Sequence, residues 1–395
     1  MLSPASRSIV RQTLPAVAAA IPEITTVFYG KLFADHPNLL SDLFNRGNQA
    51  TGAQQQALAG SIARFATMLL DNPGRDPGAL LGRVAHKHAS LGVTADQYHV
   101  VHDYLFAAIA DVLGAAVTTE VAAAWDEVYW LMARTLIDLE AGLYRDAAQE
   151  PGPGWRPWEV VARHEETADV VSFVLRPAED GEAPAFQPGQ YVSVAVTLPD
   201  GARQIRQYSL SSAPHRGTRR ISVKRVRGGA GPDGEVSTWL HANVAVGDLL
   251  TLSPPYGNVV ADTSDAPLLL ASAGIGCTPV LAILDHLAAT SSPRPVTVVH
   301  ADRSVADHPL RGQLHRIVGE LPNARAHVWY EQPHPGWPAE YTGFSDLSKL
   351  DVPADLQVYV CGPVPFIESI RQQLMDRGVP ATAIQHELFG PELAA

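Results

Sequence analysis

Pro151-Gly152-Pro153-Gly154-Trp155-Arg156-Pro157 divides the sequence into two unlike textures. Proline removes an amide donor and glycine leaves the backbone unrestrained, so alternating the two excludes a helix and marks a boundary. Upstream, the apolar residues repeat with the period of a helix. Leu58, Ile62, Phe65 and Leu69 fall on one face of a segment over 54–71, and Asp71-Asn72-Pro73-Gly74 ends it. A second helix ends near Gly92, and Thr94-Ala95-Asp96-Gln97 has the form of a capping box that starts a third. A long Ala-rich segment from about Thr119 to Ala148 carries Trp125, Tyr129, Met132 and Leu136 on one stripe.

Downstream the period changes. Residues 158–164, 169–176, 190–197, 203–210, 219–227 and 248–252 are short β-branched runs broken by Gly, Pro and Asp, the pattern of an antiparallel barrel or sandwich. From Pro267 strand-like and helix-like stretches alternate, which predicts a parallel sheet. The expected order is an all-α unit over 1–150, a linker over 151–157, an antiparallel β unit over 158–262 and an α/β unit over 263–395.

The bulk properties narrow the function. A length of 395 residues suits two or three domains, and a formal net charge of −12 argues against nucleic acid or an anionic membrane surface as a main partner. Two cysteines, Cys277 and Cys361, are too few for a disulfide framework, a zinc cluster or a thiolate-held iron–sulfur cluster. The first residues lack a basic start and a long apolar run, so a cytoplasmic location is expected.

Gly274-Ile275-Gly276-Cys277-Thr278-Pro279 follows the apolar strand Leu268–Ala271 and precedes a helix. Such a turn lets backbone approach a pyrophosphate at a helix N-terminus, although Pro279 stands where a full dinucleotide fingerprint has its third glycine. Earlier, Pro188-Gly189-Gln190-Tyr191 precedes Arg206-Gln207-Tyr208-Ser209; an aromatic ring, a guanidinium and a hydroxyl together suit a flavin, while the same residues also suit an ordinary strand. Cys361-Gly362-Pro363 and the terminal Leu388-Phe389-Gly390-Pro391 complete the order.

Over residues 155–395 these motifs resemble the ferredoxin–NADP reductase family. The resemblance implies a β-barrel in which Tyr191, Arg206, Gln207, Tyr208 and Ser209 hold FAD, and an α/β unit in which Gly274 to Pro279 take the NAD(P)H pyrophosphate. Cys361, Gly362 and Pro363 would lie beside the nicotinamide, and Leu388 to Pro391, with Phe389 foremost, beside the flavin. The loop Gly228–Gly234 is longer than the usual link, which leaves the flavin phosphate contacts open there.

An all-α unit joined to such a reductase suggests haem held by histidine. His36, His86, His88, His99 and His102 are candidates, and spacing alone does not choose among them; His86 and His88, two apart on a helix, cannot both face one pocket. Lys87-His88-x-Ser90, Gln97-Tyr98, Phe28-Tyr29 and Leu43-Phe44-Asn45-x-x-x-Gln49 are similar to the globin domain of flavohaemoglobins. That resemblance implies haem b with His88 as its proximal ligand, Tyr29 and Gln54 on the distal side, Leu58 one turn beyond, Phe44 against the porphyrin, and Tyr98 and Glu140 behind His88. It also implies that Lys87 and Glu387 face each other where the two cofactor sites meet.

The implied activity is nitric oxide dioxygenation. Hydride passes from NADH or NADPH to FAD, single electrons reach the haem, and NO and O2 become nitrate. A haem-based gas sensor or oxygen carrier would not require a hydride-accepting module in the same chain. A lipid or alkyl hydroperoxide reductase would use the same parts. Arg303-Ser304 could pair with a 2′-phosphate or form a solvated turn, so the nucleotide preference stays open. No obligate protein partner is expected, and nothing in the sequence points to a membrane lipid.

Overall fold

The computed structural model describes residues 1–74, 76–147, 152, 154–179, 183–214, 217–228, 232–262, 264–353 and 355–390. Pro391, expected beside the flavin, lies outside the described residues, as do Pro151 and Pro153 of the boundary segment and Gly229 to Gly231 of the long loop.

The first unit is helical. Its main helices are α1 (Pro4–Asp35), α4 (Ala53–Asp71), α5 (Gly78–Leu91), α6 (Ala95–Leu113) and α7 (Thr119–Asp146), with α2 (Pro37–Asp42) and α3 (Arg46–Ala50) as short links. Gly92 ends α5 in the left-handed conformation that glycine adopts without strain. Two residues on, the Thr94 amide donates to Gln97 Oε1 at 2.9 Å, closing one half of the capping box at the start of α6. α1 is long and apolar enough to cross a membrane by length and composition. Its apolar residues Val10, Val17 and Ile21 instead pack in one buried cluster with Phe65 of α4 and Trp125 and Val128 of α7.

The second unit is a six-stranded antiparallel sheet in the order β4-β3-β6-β1-β2-β5. Its strands are β1 (Arg156–Thr167), β2 (Val170–Pro177), β3 (Tyr191–Thr197), β4 (Arg203–Ser209), β5 (Arg219–Lys224) and β6 (Leu249–Leu252). A bridge from Leu210 to Ile221 joins the β4 end to β5 and closes the sheet into a barrel. Val192, Val194, Phe173, Leu175 and Ile221 fill it. β5 stops at Lys224, three residues short of the expected run, because the Arg225 amide donates to Asp169 and the Val226 amide turns to Ser237 Oγ at 3.1 Å. The long loop then leads into α8 (Glu235–Asn243).

The third unit is a parallel sheet in the order β11-β10-β7-β8-β9. Its strands are β7 (Leu268–Ala273), β8 (Val296–Asp302), β9 (Ala324–Tyr330), β10 (Gln357–Cys361) and β11 (Ile384–Glu387), with α9 (Cys277–Ala289), α10 (Arg311–Glu320) and α11 (Val364–Met375). One face of the sheet packs on α9 and α10, the other on α11, so the central strands β7, β8 and β10 are apolar on both sides. Cys361 is in register with Ser272 on one side and Glu387 on the other. The carboxyl ends of β7, β10 and β11 therefore meet at one edge, where open α/β sheets bind ligands.

Candidate functional site

α5 carries the proximal side of the helical pocket. His88 Nδ1 lies 2.9 Å from Glu140 Oε1 of α7 and 2.9 Å from the Tyr98 hydroxyl of α6. The Tyr98 hydroxyl donates to the same Glu140 oxygen at 2.5 Å. A carboxylate only accepts, so the Nδ1 proton of His88 points at Glu140 and Nε2 keeps its lone pair. Burial, and then the adjacent Glu140 charge, hold the Tyr98 phenol far above its ordinary pKa, so it remains a donor. The buried glutamate is thereby paired twice, as a buried charge requires.

The residues expected on the distal side come from α1, the α2–α3 link and α4. Tyr29 is buried, and its ring meets Phe28 at 4.7 Å, Phe33 at 5.5 Å and Phe44 at 5.8 Å between centroids. Burial pushes its phenol up to about 12, opposed in part by the nearby Gln54 and Gln49. Leu58 and Phe44 pack against the same cluster. Gln49 Nε2 is buried without a hydrogen-bond partner, an unspent donor beside Tyr29.

His86 answers the question that spacing left open. It turns away from this pocket and accepts from the Gly257 amide, at 2.9 Å from Nδ1, across the boundary between the helical unit and the barrel. Burial lowers its pKa to about 4, consistent with an acceptor that stays neutral. His102 is bound to Asp126 at 2.8 Å, His99 stacks near Trp130 at 4.7 Å, and His36 closes the end of α1 beside Tyr104.

On the barrel, register sorts the R-x-Y-S residues onto two faces. Arg206 and Tyr208 lie opposite Val194 and Val192, and Tyr208 packs against the barrel core. Gln207 and Ser209 lie opposite Ser193 and Tyr191, on the face that meets α5. Arg206 has no carboxylate within salt-bridge distance among the described residues, and desolvation lowers its pKa. A desolvated guanidinium of this kind fits an anionic phosphate.

At the sheet edge, Gly274 has φ +53°, and a Cβ on Gly276 would meet the Cys361 carbonyl oxygen at 2.3 Å. The two motifs Gly274–Pro279 and Cys361–Pro363 are thus packed backbone to backbone, which only glycine permits at 276. Ile275 accepts from the Thr278 hydroxyl at 2.9 Å, and Pro279 sits in the first turn of α9. Cys277 and Cys361 are buried, and desolvation raises both thiols, so neither is a reactive thiolate. Pro363 caps α11, Leu388 is buried, and Phe389 and Gly390 are exposed at the described end.

Lys87 and Glu387 act on each other electrostatically across this boundary, without forming an ion pair. Glu387 has Arg83 as its nearest cation, at 3.8 Å, and Arg83 also donates to the Leu388 carbonyl at 2.5 Å. Arg83 stands one turn before Lys87 on the same face of α5. Lys87 instead donates to Gln207. Desolvation, with Arg206 and Arg83 nearby, lowers its pKa to about 7, while Glu387 acts on it only at longer range.

Three contacts at this boundary were not singled out from the sequence. Gln204, fully buried, donates to the Ser41 carbonyl at 3.0 Å. Arg46 pairs with Asp200 at 2.6 Å and Glu235 at 2.9 Å. Ser193 donates to Ser90 at 2.9 Å. A serine inside Val192-Ser193-Val194-Ala195-Val196 was the one visible signal.

The full length has close counterparts. A flavohemoprotein of Rhizobium meliloti is 39% identical over 406 residues, covering 100% of both chains. One of Bordetella pertussis is 40% identical, covering 99% of each. The chain belongs to the flavohaemoprotein family. Within it, residues 26–136 match the globin family, 157–260 the oxidoreductase FAD-binding domain and 270–372 the oxidoreductase NAD-binding domain. The fold agrees with that of a Malassezia yamatoensis flavohemoglobin solved with bound FAD and heme, at a TM-score of 0.91 and 41% identity over 98% of this flavohaemoprotein and 100% of that one. The FAD/NAD-binding domain of nitric oxide dioxygenase from Vibrio cholerae matches 60% of it at a TM-score of 0.55 and 37% identity, covering 99% of that chain.

Proposed function

We propose that this flavohaemoprotein is a nitric oxide dioxygenase that takes electrons from NAD(P)H through FAD to haem b and converts NO and O2 to nitrate. The observation that carries the reading is the His88–Glu140–Tyr98 triad, with a buried Tyr29 in the same helical unit. Haem supplies an iron that binds dioxygen and accepts single electrons, and FAD accepts hydride and releases electrons singly.

The residues present fit these groups. His88 offers Nε2 to a metal, because Nδ1 is committed to Glu140. The carboxylate makes that imidazole a stronger electron donor, a property suited to oxygen activation rather than to storage. Tyr29 stays protonated at neutral pH and would bring a buried hydroxyl to the distal side, with Gln54 and Gln49 nearby. Arg206, with no carboxylate partner among the described residues, offers a cation to a flavin phosphate, and Gly274 and Gly276 leave room for a nucleotide pyrophosphate at the start of α9. Cys361, Gly362 and Glu387 border the edge to which the hydride must come. Such a protein works in the cytoplasm, where NAD(P)H is available and both thiols stay reduced.

Purified protein should show a Soret band together with flavin absorption and consume NO in an NAD(P)H- and O2-dependent manner. His88→Ala should lose the Soret band yet still reduce its flavin with NAD(P)H. Retention of haem in His88→Ala with its loss in His86→Ala would overturn the ligand assignment. Rapid hydroperoxide reduction without NO consumption would overturn the activity.

A further inference from the structure

Between α5 and the barrel, four side chains close a hydrogen-bonded ring. Lys87 Nζ donates to Gln207 Oε1. Gln207 Nε2 donates to Ser193 Oγ at 2.8 Å, Ser193 Oγ donates to Ser90 Oγ at 2.9 Å, and Ser90 Oγ donates to the Lys87 carbonyl at 2.8 Å. Every hydroxyl in the ring donates once and accepts from its neighbour, so the dipoles run head to tail and reinforce one another.

Ser90 and Ser193 are 1% and 0% exposed. Hydroxyls withdrawn from water at a junction cost stability unless they are paired, and here each finds its partner on the other unit. Neither touches His88 or the Gly274–Pro279 turn, while Ser193 accepts from Gln207, one of the residues the resemblance assigns to FAD. The ring nevertheless passes through the immediate neighbours of both sites, since Lys87 precedes His88 and Gln207 precedes Tyr208. It ties the helix carrying the proximal histidine to the strand carrying the R-x-Y-S motif.

We propose that Ser90 and Ser193 are positioning residues for electron transfer from flavin to haem: they lock Lys87 and Gln207 in place and fix α5 against β3 and β4. The proposal rests on the electron path given above. It separates two steps that a general loss of folding would change together. Reduction of the flavin by NADH involves the barrel and the third unit alone. Reduction of the haem crosses the ring.

The test uses full-length, haem- and FAD-loaded protein with Ser90→Ala, Ser193→Ala, the double variant and Ser193→Thr, which keeps the hydroxyl in a strand that favours β-branching. Loss of one net hydrogen bond shifts a docking equilibrium about fivefold. In stopped flow with NADH, each alanine variant should reduce its flavin at the wild-type rate and its haem about threefold to tenfold more slowly. The double variant should be no slower than the worse single variant, because a ring is broken only once. Ser193→Thr should recover most of the rate. As a readout independent of turnover, amide hydrogen exchange should rise in residues 83–92 and 203–209 together when either serine is replaced. Unchanged haem reduction, additive effects in the double variant, or equal slowing of both steps would overturn the proposal. Wild-type protein whose flavin is reduced by NADH but whose haem never follows would overturn the electron path itself.

Discussion

Gln204 offers a measure of how firmly the distal wall is held to the barrel. It is fully buried on β4, and its single amide nitrogen faces the carbonyls of Leu40, Ser41 and Phe44 at 3.4, 3.0 and 3.3 Å. An NH2 group has two hydrogens, so the Ser41 and Phe44 bonds are the two that count, the second a long one. Gln204→Met keeps the volume and removes both donors, together with the Oε1 that accepts from the Arg46 amide at 3.4 Å and from Arg206 at 3.2 Å. The bonds to Ser41 and Phe44, one ordinary and one weak, with their carbonyls left unsatisfied, amount to about 1–3 kcal/mol. That corresponds to roughly a five- to hundredfold shift in the equilibrium that docks residues 40–44 on the barrel. Phe44 sits at the end of that segment and packs on Tyr29 and Phe33, so loosening should reach the distal pocket. Native-state hydrogen exchange, read by mass spectrometry on peptides covering 37–50, is the direct assay, with peptides from α7 as the internal control. Faster exchange by that factor in 37–50 alone is expected. Exchange unchanged there, or raised equally in α7, would show that the Gln204 contacts do not hold the segment.

Tyr29→Phe removes one buried donor to a partly anionic ligand, worth about 1.5–3 kcal/mol, so O2 should dissociate about tenfold to a hundredfold faster by flash photolysis or stopped flow. Glu140→Gln should weaken the donor strength of His88 and raise the haem reduction potential measured by spectroelectrochemistry, while Tyr98→Phe should do so less, since it leaves the carboxylate on His88 Nδ1. Arg206→Ala should lower FAD occupancy and leave CO binding by the globin intact, because Arg206 lies in the barrel with no carboxylate partner among the described residues. In the third unit, burial and the stacked His300 ring lower the His308 pKa to about 2 from an ordinary 6.5. The folded state then binds fewer protons than the unfolded state between those values, so stability is fully present above about pH 6.5 and declines as pH falls towards 2. His308→Phe should flatten that acid limb in urea titrations followed by tryptophan fluorescence.

The three-part architecture was legible because its signals are local. Gly92 followed by Thr94 and Gln97 marks the turn between α5 and α6, and the strand–glycine–helix order at 268–279 marks the parallel sheet. Burial of polar residues was only half legible: Glu140 continues an apolar stripe, which suits a buried carboxylate with a partner as well as one reaching water at the helix end. What sequence alone could not choose was the direction of neighbouring side chains on one helix. His86 and His88 diverge, one to the Gly257 amide of the barrel and one to Glu140, and that choice depends on what lies across each face. The same holds for Arg83 and Lys87. Both are long cations one turn apart, and only the docked position of β11 decides that Glu387 meets Arg83. β5 ended early for a similar reason, since the Ser237 hydroxyl that captures the Val226 amide comes from α8.

The junction itself selects one docked arrangement through polar groups rather than through apolar area. Side chains of a strand alternate between faces and rise about 3.3 Å per residue. A slip of one residue along β3 would bring Val192 or Val194, which face the barrel interior, to the level of Ser90. A slip of two would bring Tyr191 or Ala195 there and leave the buried Ser193 hydroxyl without its partner on α5. Such a slip would also move Gln207, the register partner of Ser193, away from Lys87, and Gly257 away from His86. A misplacement that leaves the buried Ser90 or Ser193 hydroxyl unpaired costs about 1–3 kcal/mol, whereas apolar contacts would tolerate small shifts. Directional bonds spread along α5 therefore penalise displaced arrangements together, and the distance between the proximal histidine and the R-x-Y-S strand is set by register rather than by shape alone.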